Sequence, residues 1–515
     1  VRTTRTAIAA MAAGVLALSA CSGGGDAVDL DGDGSTADGQ VEPSSDALVA
    51  AIAGEPDQLD PHVTSAYFSF QVLENVFDTL VEPDDSLEMQ PALAESWEIS
   101  DDQLTWTFDL RDDVTFHDGS AFTADDVVYS YTRIIDEELT PSWRFAAIES
   151  VTAPDDSTVE ITVAQPTPNL LALIGGYKGM AIVSEDNVTS GDIVSAPVGT
   201  GPFSFADYVS GDHITLTANP DYWGDAPSVP GVEFRFISEG STAITALENG
   251  EIDWTDSVPV QQVEALSGGD SELAIEPSTD YWYLALNQNN APWDDVRARQ
   301  AVAYAIDREA ILQATTYGTG VLNQLAIPEQ SAWFTEYDEY SYDPERAQEL
   351  FDEAGFTGGT IDFLATSEYS ETELTAQILA DNLEPYGIDV EIRTVDFATW
   401  LAEQGEGNFD MFMLSWLGNL DPDDFYYAQH HSEGGFNFQG YSNPDVDALL
   451  EAGRTETDAD ARRDLYAEAA TMIADDASYI YLYNPAVIQA WSPELSGYTV
   501  RSDGAIRFRS VELTG

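Results

Sequence analysis

The sequence predicts an α/β fold, and three observations carry that expectation. Residues 361–365 form a short apolar run; 373–386 place Leu374, Ile378, Leu379 and Leu383 on one helical face before Gly387; and Ile388, Val390 and Ile392 then alternate with Asp389, Glu391 and Arg393. That pattern is a strand–helix–strand unit. Residues 409–417, FDMFMLSWL, are long and apolar enough for a buried strand and run into a turn cluster at Gly418, Asn419, Asp421 and Pro422. A strand ending in a polar, carboxylate-bearing turn is where an open α/β sheet presents groups to a ligand. Finally, 515 residues with 43% hydrophobic content can bury large cores, in two or three globular units.

The amino terminus sets the compartment. Arg2 and Arg5 precede an apolar run over 7–18 and then Leu18-Ser19-Ala20-Cys21, the order of a secretory signal over 1–20. The run is too short for a comfortable transmembrane helix. Leu-Ser-Ala-Cys resembles a bacterial lipobox, so Cys21 is expected to carry the lipid that tethers the chain to the outer face of a membrane. Cys21 is the only cysteine, which excludes disulfides, cysteine metal clusters and a Cys-His catalytic pair. Residues 21–45 are rich in Gly, Asp and Ser and read as a flexible acidic tether. Within it Asp29, Asp31, Asp33 and Gly34 begin like a calcium loop, but Gln40 stands where the bidentate Glu is required, so no metal site is expected there.

Along the globular part, 48–52 is a short apolar run that enters a turn-rich connection over 55–61. Phe68, Val72, Val76 and Leu80 are spaced for a helix over 67–80. Two strand-like runs flank Asp101-Asp102 within 97–110, and Thr123 with Asp126 forms a capping box for the next helix. Gly199 and Gly201 around Thr200 suggest backbone angles that other residues resist, Asp118-Gly119 suits a turn, and Asp294 or Asp295 can cap a helix through Val302 and Ile306. A helix over 458–474 and a strand over 479–483 follow, with no internal repeat.

Three long segments carry a resemblance. They are PALAESWEISDDQLTWTFDLRDDVTFHDGSAFTADDVVYSYTRI (91–134), APVGTGPFSFADYVSGDHITLTANPDYWG (196–224) and LALNQNNAPWDDVRARQAVAYAIDREAIL (284–312). Together they resemble the family 5 solute-binding proteins that feed peptide, nickel and oligosaccharide ABC importers. The resemblance implies a bilobed periplasmic-binding-protein-like fold of the class II type, with an additional α/β subdomain in the first lobe. On that scheme 46–275 form lobe I, with the extra subdomain over about 66–194; 276–485 form lobe II, and 486–515 return to lobe I. Two crossings make a hinge, and lobes that close on a solute bury it.

In peptide-binding relatives the second lobe's inner strand ends in W-x-x-D, and that aspartate pairs with the ligand's ammonium group. Here the strand ends in Trp416 and Leu417, and Asn419 follows where the aspartate is expected. Either Asp421, two residues on, takes the role, or the amine site is missing. Trp416 offers a flat apolar wall and a donor. Tyr67 and Phe68 correspond to a first-lobe loop that reaches the cleft, and Tyr283, Asn287, Asn437 and Tyr483 flank the inter-lobe strands.

The resemblance implies a small solute, most simply a peptide, delivered by a monomeric receptor to a permease with separate ATPase subunits. It implies no catalysis and no cofactor. An oligosaccharide or a nickel chelate is the alternative ligand; His430 and His431 are adjacent, and neighbours rarely share one metal. A secreted acidic glycosidase is the alternative class, but 93 acids make a chance carboxylate pair inevitable, and no G-x-S-x-G, H-E-x-x-H or P-loop motif is present.

The charge is extreme: 93 acidic against 18 basic residues, with Lys178 the one lysine, for a net −75. No basic patch can neutralise phosphates, which excludes nucleic-acid binding. Self-repulsion of this size destabilises a compact chain until counterions screen it. The melting temperature is therefore expected to rise between low and molar salt; an unchanged value would refute adaptation to a salty exterior.

Overall fold

The structure, a computed structural model, describes residues 47–514 except 177 and 417–419, and leaves the side chain of Lys178 undescribed. The leader, Cys21, the tether and its calcium-like loop therefore lie outside the described residues, as do Leu417, Gly418 and Asn419.

The first sheet has seven strands in the order Glu272–Pro277, Ala486–Trp491, Trp254–Thr255, Leu48–Ile52, Gly231–Phe236, His213–Ala218 and Phe203–Val209. Leu48–Ile52 sits near its middle, and each face of that strand is covered. Leu48, Ala50 and Ile52 pack with Val72, Val76 and Phe508, while Ala51 meets the helix Gly240–Glu248 through Ala243 and Leu247. A four-stranded antiparallel sheet, with strands Ala94–Ile99, Thr105–Leu110, Thr158–Val163 and Ile148–Asp155, stands beside it. The helix Ala124–Asp136 lays Val127, Tyr131 and Ile134 on that sheet's core, its start held by the reciprocal Thr123–Asp126 box.

The second large sheet has six strands, ordered Val321–Leu322, Tyr479–Asn484, Tyr281–Leu286, Met411–Trp416, Gly359–Thr366 and Ile388–Val395. The strand–helix–strand unit is present: Gly359–Thr366 runs parallel to Ile388–Val395, joined by the helix Ser370–Leu383, and Gly387 turns the chain at φ 75°. Tyr281–Leu286 is buried on both faces. Trp282, Leu284 and Leu286 join one core, while Tyr281, Tyr283 and Ala285 join the other, so helices cover the sheet from both sides. The fold is bilobed, one lobe built on each large sheet.

The chain passes between the lobes twice. Glu272–Pro277 leads to Tyr281–Leu286 through 278–280, and Tyr479–Asn484 leads to Ala486–Trp491 through Pro485. The crossings are tied together: Ser278 N–H donates to the Pro485 carbonyl at 3.0 Å, and the Asn484 amide donates to the carbonyls of Asp280 and Ala326 at 2.7 and 3.0 Å.

Two sequence expectations change. The helix expected over 67–80 ends at Leu73, because the Asn75 amide leaves the helical path to donate to the Gln71 and Ile506 carbonyls, and the chain then turns to bury Val76, Phe77 and Leu80. Gly199 and Gly201 are required by space rather than by φ: a Cβ there would meet the Val76 carbonyl oxygen at 2.1 and 2.6 Å, and neither residue has positive φ. This close approach brings Thr200, Tyr222 and Trp223 around one buried carboxylate. Thr200 and Trp223 donate to Asp78 Oδ2 at 2.9 and 2.8 Å, and the Tyr222 hydroxyl reaches Oδ1 at 3.4 Å. The motifs in 196–224 thus build the fold.

Burial pushes the Asp78 carboxyl up to about 6, against hydrogen bonds from Trp223 and Thr200 that lower it. A raised carboxyl penalises the folded state in full above pH 6, and the penalty fades as pH falls through 6 towards the ordinary carboxylate range. In molar salt, the parent is expected to gain up to about 2 kcal/mol more stability than Asp78→Asn on going from pH 7.5 to 4.5; parallel melting curves for the two would refute it.

Candidate ligand-binding site

A cavity of about 700 Å³ opens between the lobes. The first lobe contributes the turn at Asp85–Met89 and residues around the start of the helix Leu170–Gly175; the second contributes Ala326–Pro328, Trp333, Leu420–Pro422, Phe425 and Arg462; Thr279 and Ser502 lie at the hinge side. Each wall follows from local sequence. Met411–Trp416 is central in its sheet, antiparallel to Tyr281–Leu286 and parallel to Gly359–Thr366, so its carboxyl end opens at a change of strand direction. Pro422 then starts the helix Asp423–His430, which holds Phe425 in the wall.

One polar element of the wall is an ion pair. Asp421, 5% exposed, accepts from both terminal nitrogens of Arg462 at 2.7 Å, while Arg462 Nε donates to the Gly453 carbonyl at 2.8 Å. The guanidinium also lies over the rings of Trp333 and Tyr466, 4.8 and 5.0 Å from their centroids. Asp421 therefore meets the cavity as half of a bidentate pair, not as the isolated anion that an ammonium group requires.

A second pair crosses the cleft. Arg144, in the short helical turn Ser142–Phe145 of the first lobe, donates to Asp424 Oδ2 at 3.5 Å, with both side chains buried. Burial raises the Asp424 carboxyl to about 6, the nearby Arg144 opposing that rise and Asp421 and Asp423 adding to it. Leu420 also approaches the first lobe; a Cβ added to Gly176 would lie 2.9 Å from its Cδ1.

The other residues singled out from sequence are dispersed. Trp416 is half-buried and sets its ring edge-to-face against Phe436 at 5.0 Å, while Leu420, Asp421 and Pro422 further along the chain line the cavity. Tyr67 is exposed, with its hydroxyl donating to the Gly504 carbonyl at 3.1 Å, and Phe68 packs beside it and against Gly54. Tyr283 and Tyr483 are core residues at 2% and 1% exposure; Tyr283 stacks on Tyr479 at 4.0 Å. Asn287 ties down the Gly407 and Phe409 carbonyls, and Asn437 those of His431 and Tyr441. Arg144, Asp424, Trp333 and Arg462 were not anticipated. Only the acidic run Asp421, Asp423, Asp424 hinted at them, since their partners lie far along the chain.

The histidines are engaged singly. His430 sits between Ser478 and the Tyr481 hydroxyl, and burial lowers it to about 3; His431 stacks on Tyr427; His62 binds the Ala181 carbonyl at 2.8 Å. Among the described residues no group of three or more His, Cys, Asp or Glu is arranged to hold a metal, and no helix is long and apolar enough to cross a membrane.

Comparison with known proteins agrees with this architecture. The chain is 29% identical over 473 residues to the probable D,D-dipeptide-binding periplasmic protein of Escherichia coli K12, covering 88% of this chain and 91% of that one. It is 29% identical over 546 residues to heme-binding protein A of Haemophilus influenzae, covering 98% of each. The periplasmic binding protein DppA of Helicobacter pylori, solved with the peptide STSA, superposes with TM-score 0.79 at 27% identity, covering 91% of this chain and 98% of that one. The profile described as bacterial extracellular solute-binding proteins, family 5 Middle, matches residues 88–437, and to that family of substrate-binding proteins the chain belongs.

Proposed function

We propose that the protein is the extracytoplasmic receptor of an ABC importer and that its ligand is a peptide, captured between the lobes and handed to a membrane permease driven by separate ATPase subunits. The observation that carries this reading is the inter-lobe cavity of about 700 Å³, walled from both lobes and bridged by Arg144 and Asp424. Its volume suits a small solute, and a receptor that closes on its ligand gains buried contacts from two sides. Relatives named for D,D-dipeptides and solved with a tetrapeptide support the peptide class. In this reading Trp416, Tyr67 and Phe68 flank the ligand, Asp421 acts through its pair with Arg462, and Leu417 and Asn419, which follow Trp416 in sequence, belong to the ligand-contacting set. Tyr283, Tyr483, Asn287 and Asn437 hold the walls from behind. Cys21 carries the lipid anchor.

In molar salt, short peptides are expected to raise the melting temperature and to be recovered intact by mass spectrometry; ligand at a hundredfold excess over Kd stabilises by about 2.7 kcal/mol. A shift with haem or oligosaccharides and none with peptides would retire the peptide ligand, and turnover would retire a binding role. Arg144→Met is expected to weaken peptide binding about tenfold, because the closed form loses its cross-lobe pair; unchanged affinity would show that the pair does not favour closure. Cys21→Ala is expected to release the protein from membranes in cell fractionation, and retention in the membrane fraction would refute lipidation.

A further inference from the structure

We propose that Asn169 is a specificity-determining residue of the first lobe, whose side-chain amide donates to a neutral acceptor oxygen of the ligand, in a peptide the carbonyl of an internal amide. This rests on the reading that the ligand lies between the lobes. It assigns an uncharged peptide group, rather than either charged terminus, to the first-lobe wall.

Asn169 lines the inter-lobe cavity together with Pro168, Leu171 and Ala172, and only 5% of it is exposed. Its main-chain carbonyl is engaged, accepting from the Leu173 N–H at 3.0 Å. Its side chain is not. An Asn just before a helix usually turns its oxygen back on the first turn from an extended backbone. Here φ is −91° and ψ 13°, outside that extended region, and no such cap forms. The Nδ2 end is buried and has no hydrogen-bond partner. A buried donor without an acceptor destabilises the fold, so an amide kept in that state on a cavity wall calls for an acceptor from outside the chain.

The amide is held in a fixed place. A Cβ on Gly175 would run into the Val81 carbonyl oxygen, so the helix Leu170–Gly175 lies against the hairpin whose turn, 85–89, supplies more of the same wall. Arg501 holds that turn from behind, donating to the Pro83 and Asp84 carbonyls at 3.1 and 3.0 Å and to Asp85 Oδ1 at 3.1 Å.

The surroundings set the charge of the acceptor. Among the described residues that line the cavity from 85–89 and 168–172, the charged groups are Asp85 and Glu88, both acidic. A ligand carboxylate would be desolvated there beside like charge, with no cation on that wall to balance it. Arg462 on the other wall does not supply one, because both its terminal nitrogens are committed to Asp421. An ammonium brings only donors and cannot satisfy the amide N–H. A neutral carbonyl oxygen satisfies it at no cost in charge.

The test is calorimetry in molar NaCl with Ala-Ala-Ala and two analogues, each with one amide replaced by a trans carbon–carbon double bond, which is planar and uncharged but lacks the carbonyl. In the parent, the double bond at one of the two positions is expected to weaken binding about tenfold. Asn169→Leu and Asn169→Ala should each bind Ala-Ala-Ala about tenfold more weakly than the parent does, and the penalty at that position should vanish in both. Equal affinity of parent and variants for Ala-Ala-Ala, or penalties that persist unchanged in the variants, would overturn the subsite and leave the peptide reading intact. If Ala-Ala-Ala does not bind the parent, maltotriose, whose hydroxyl oxygens are neutral acceptors, decides. Weaker binding of maltotriose by Asn169→Leu than by the parent keeps the amide site and retires the peptide, and no such difference overturns the site.

Discussion

The molecule depends on how its chain crosses between two sheets. Both crossings are short, at 278–280 and at Pro485, and they lie side by side, joined by the Ser278–Pro485 hydrogen bond and by the Asn484 side chain. Adjacent short crossings leave each lobe with its own core but limit their relative motion to a hinge. The cavity lies beside this hinge, with Thr279 and Ser502 at its margin. Lengthening either crossing would cost little in loop entropy and would lose the register between the walls.

Charge is the second constraint. With 18 basic residues against 93 acidic ones, cations are scarce, and the chain places several of them inside. Arg133, Arg144, Arg299, Arg308, Arg462 and Arg501 are all buried. Arg299 and Arg308 donate to main-chain carbonyls, and burial alone lowers Arg308 to about 10. Arg133 and Arg462 form bidentate pairs with Asp60 and Asp421. A guanidinium is suited to this use because its planar fork of five donors can be satisfied in a dry site. Screening of the many carboxylates at the surface then falls to solvent ions.

Much of the local structure was legible because it follows from side chains close in sequence. The Thr123–Asp126 box, Asp295 capping Val296–Ala305, Asp458 capping Ala459–Asp475 and the Gly387 stop all rest on contacts within a few residues. The same holds for the strand Met411–Trp416, whose apolar alternation serves two cores at once. The helix over 67–80 was overextended because Asn75 is captured by Ile506, 431 residues away, and no local pattern encodes that.

By itself the sequence determined the α/β class, most helix ends and, through three long motifs, the family, because these depend on periodicity, caps and turns written into neighbouring residues. Only the tertiary structure decided what the carboxylates do. Asp421 looks like a free anion in the chain and is paired with Arg462; Asp424 lies close to it in sequence and reaches Arg144 across the cleft; Asp78 gathers Thr200 and Trp223 from the two ends of the 196–224 segment. The physical reason is that a carboxylate's role is set by the donors and the water around it, and folding brings those donors from 41 to 280 residues away.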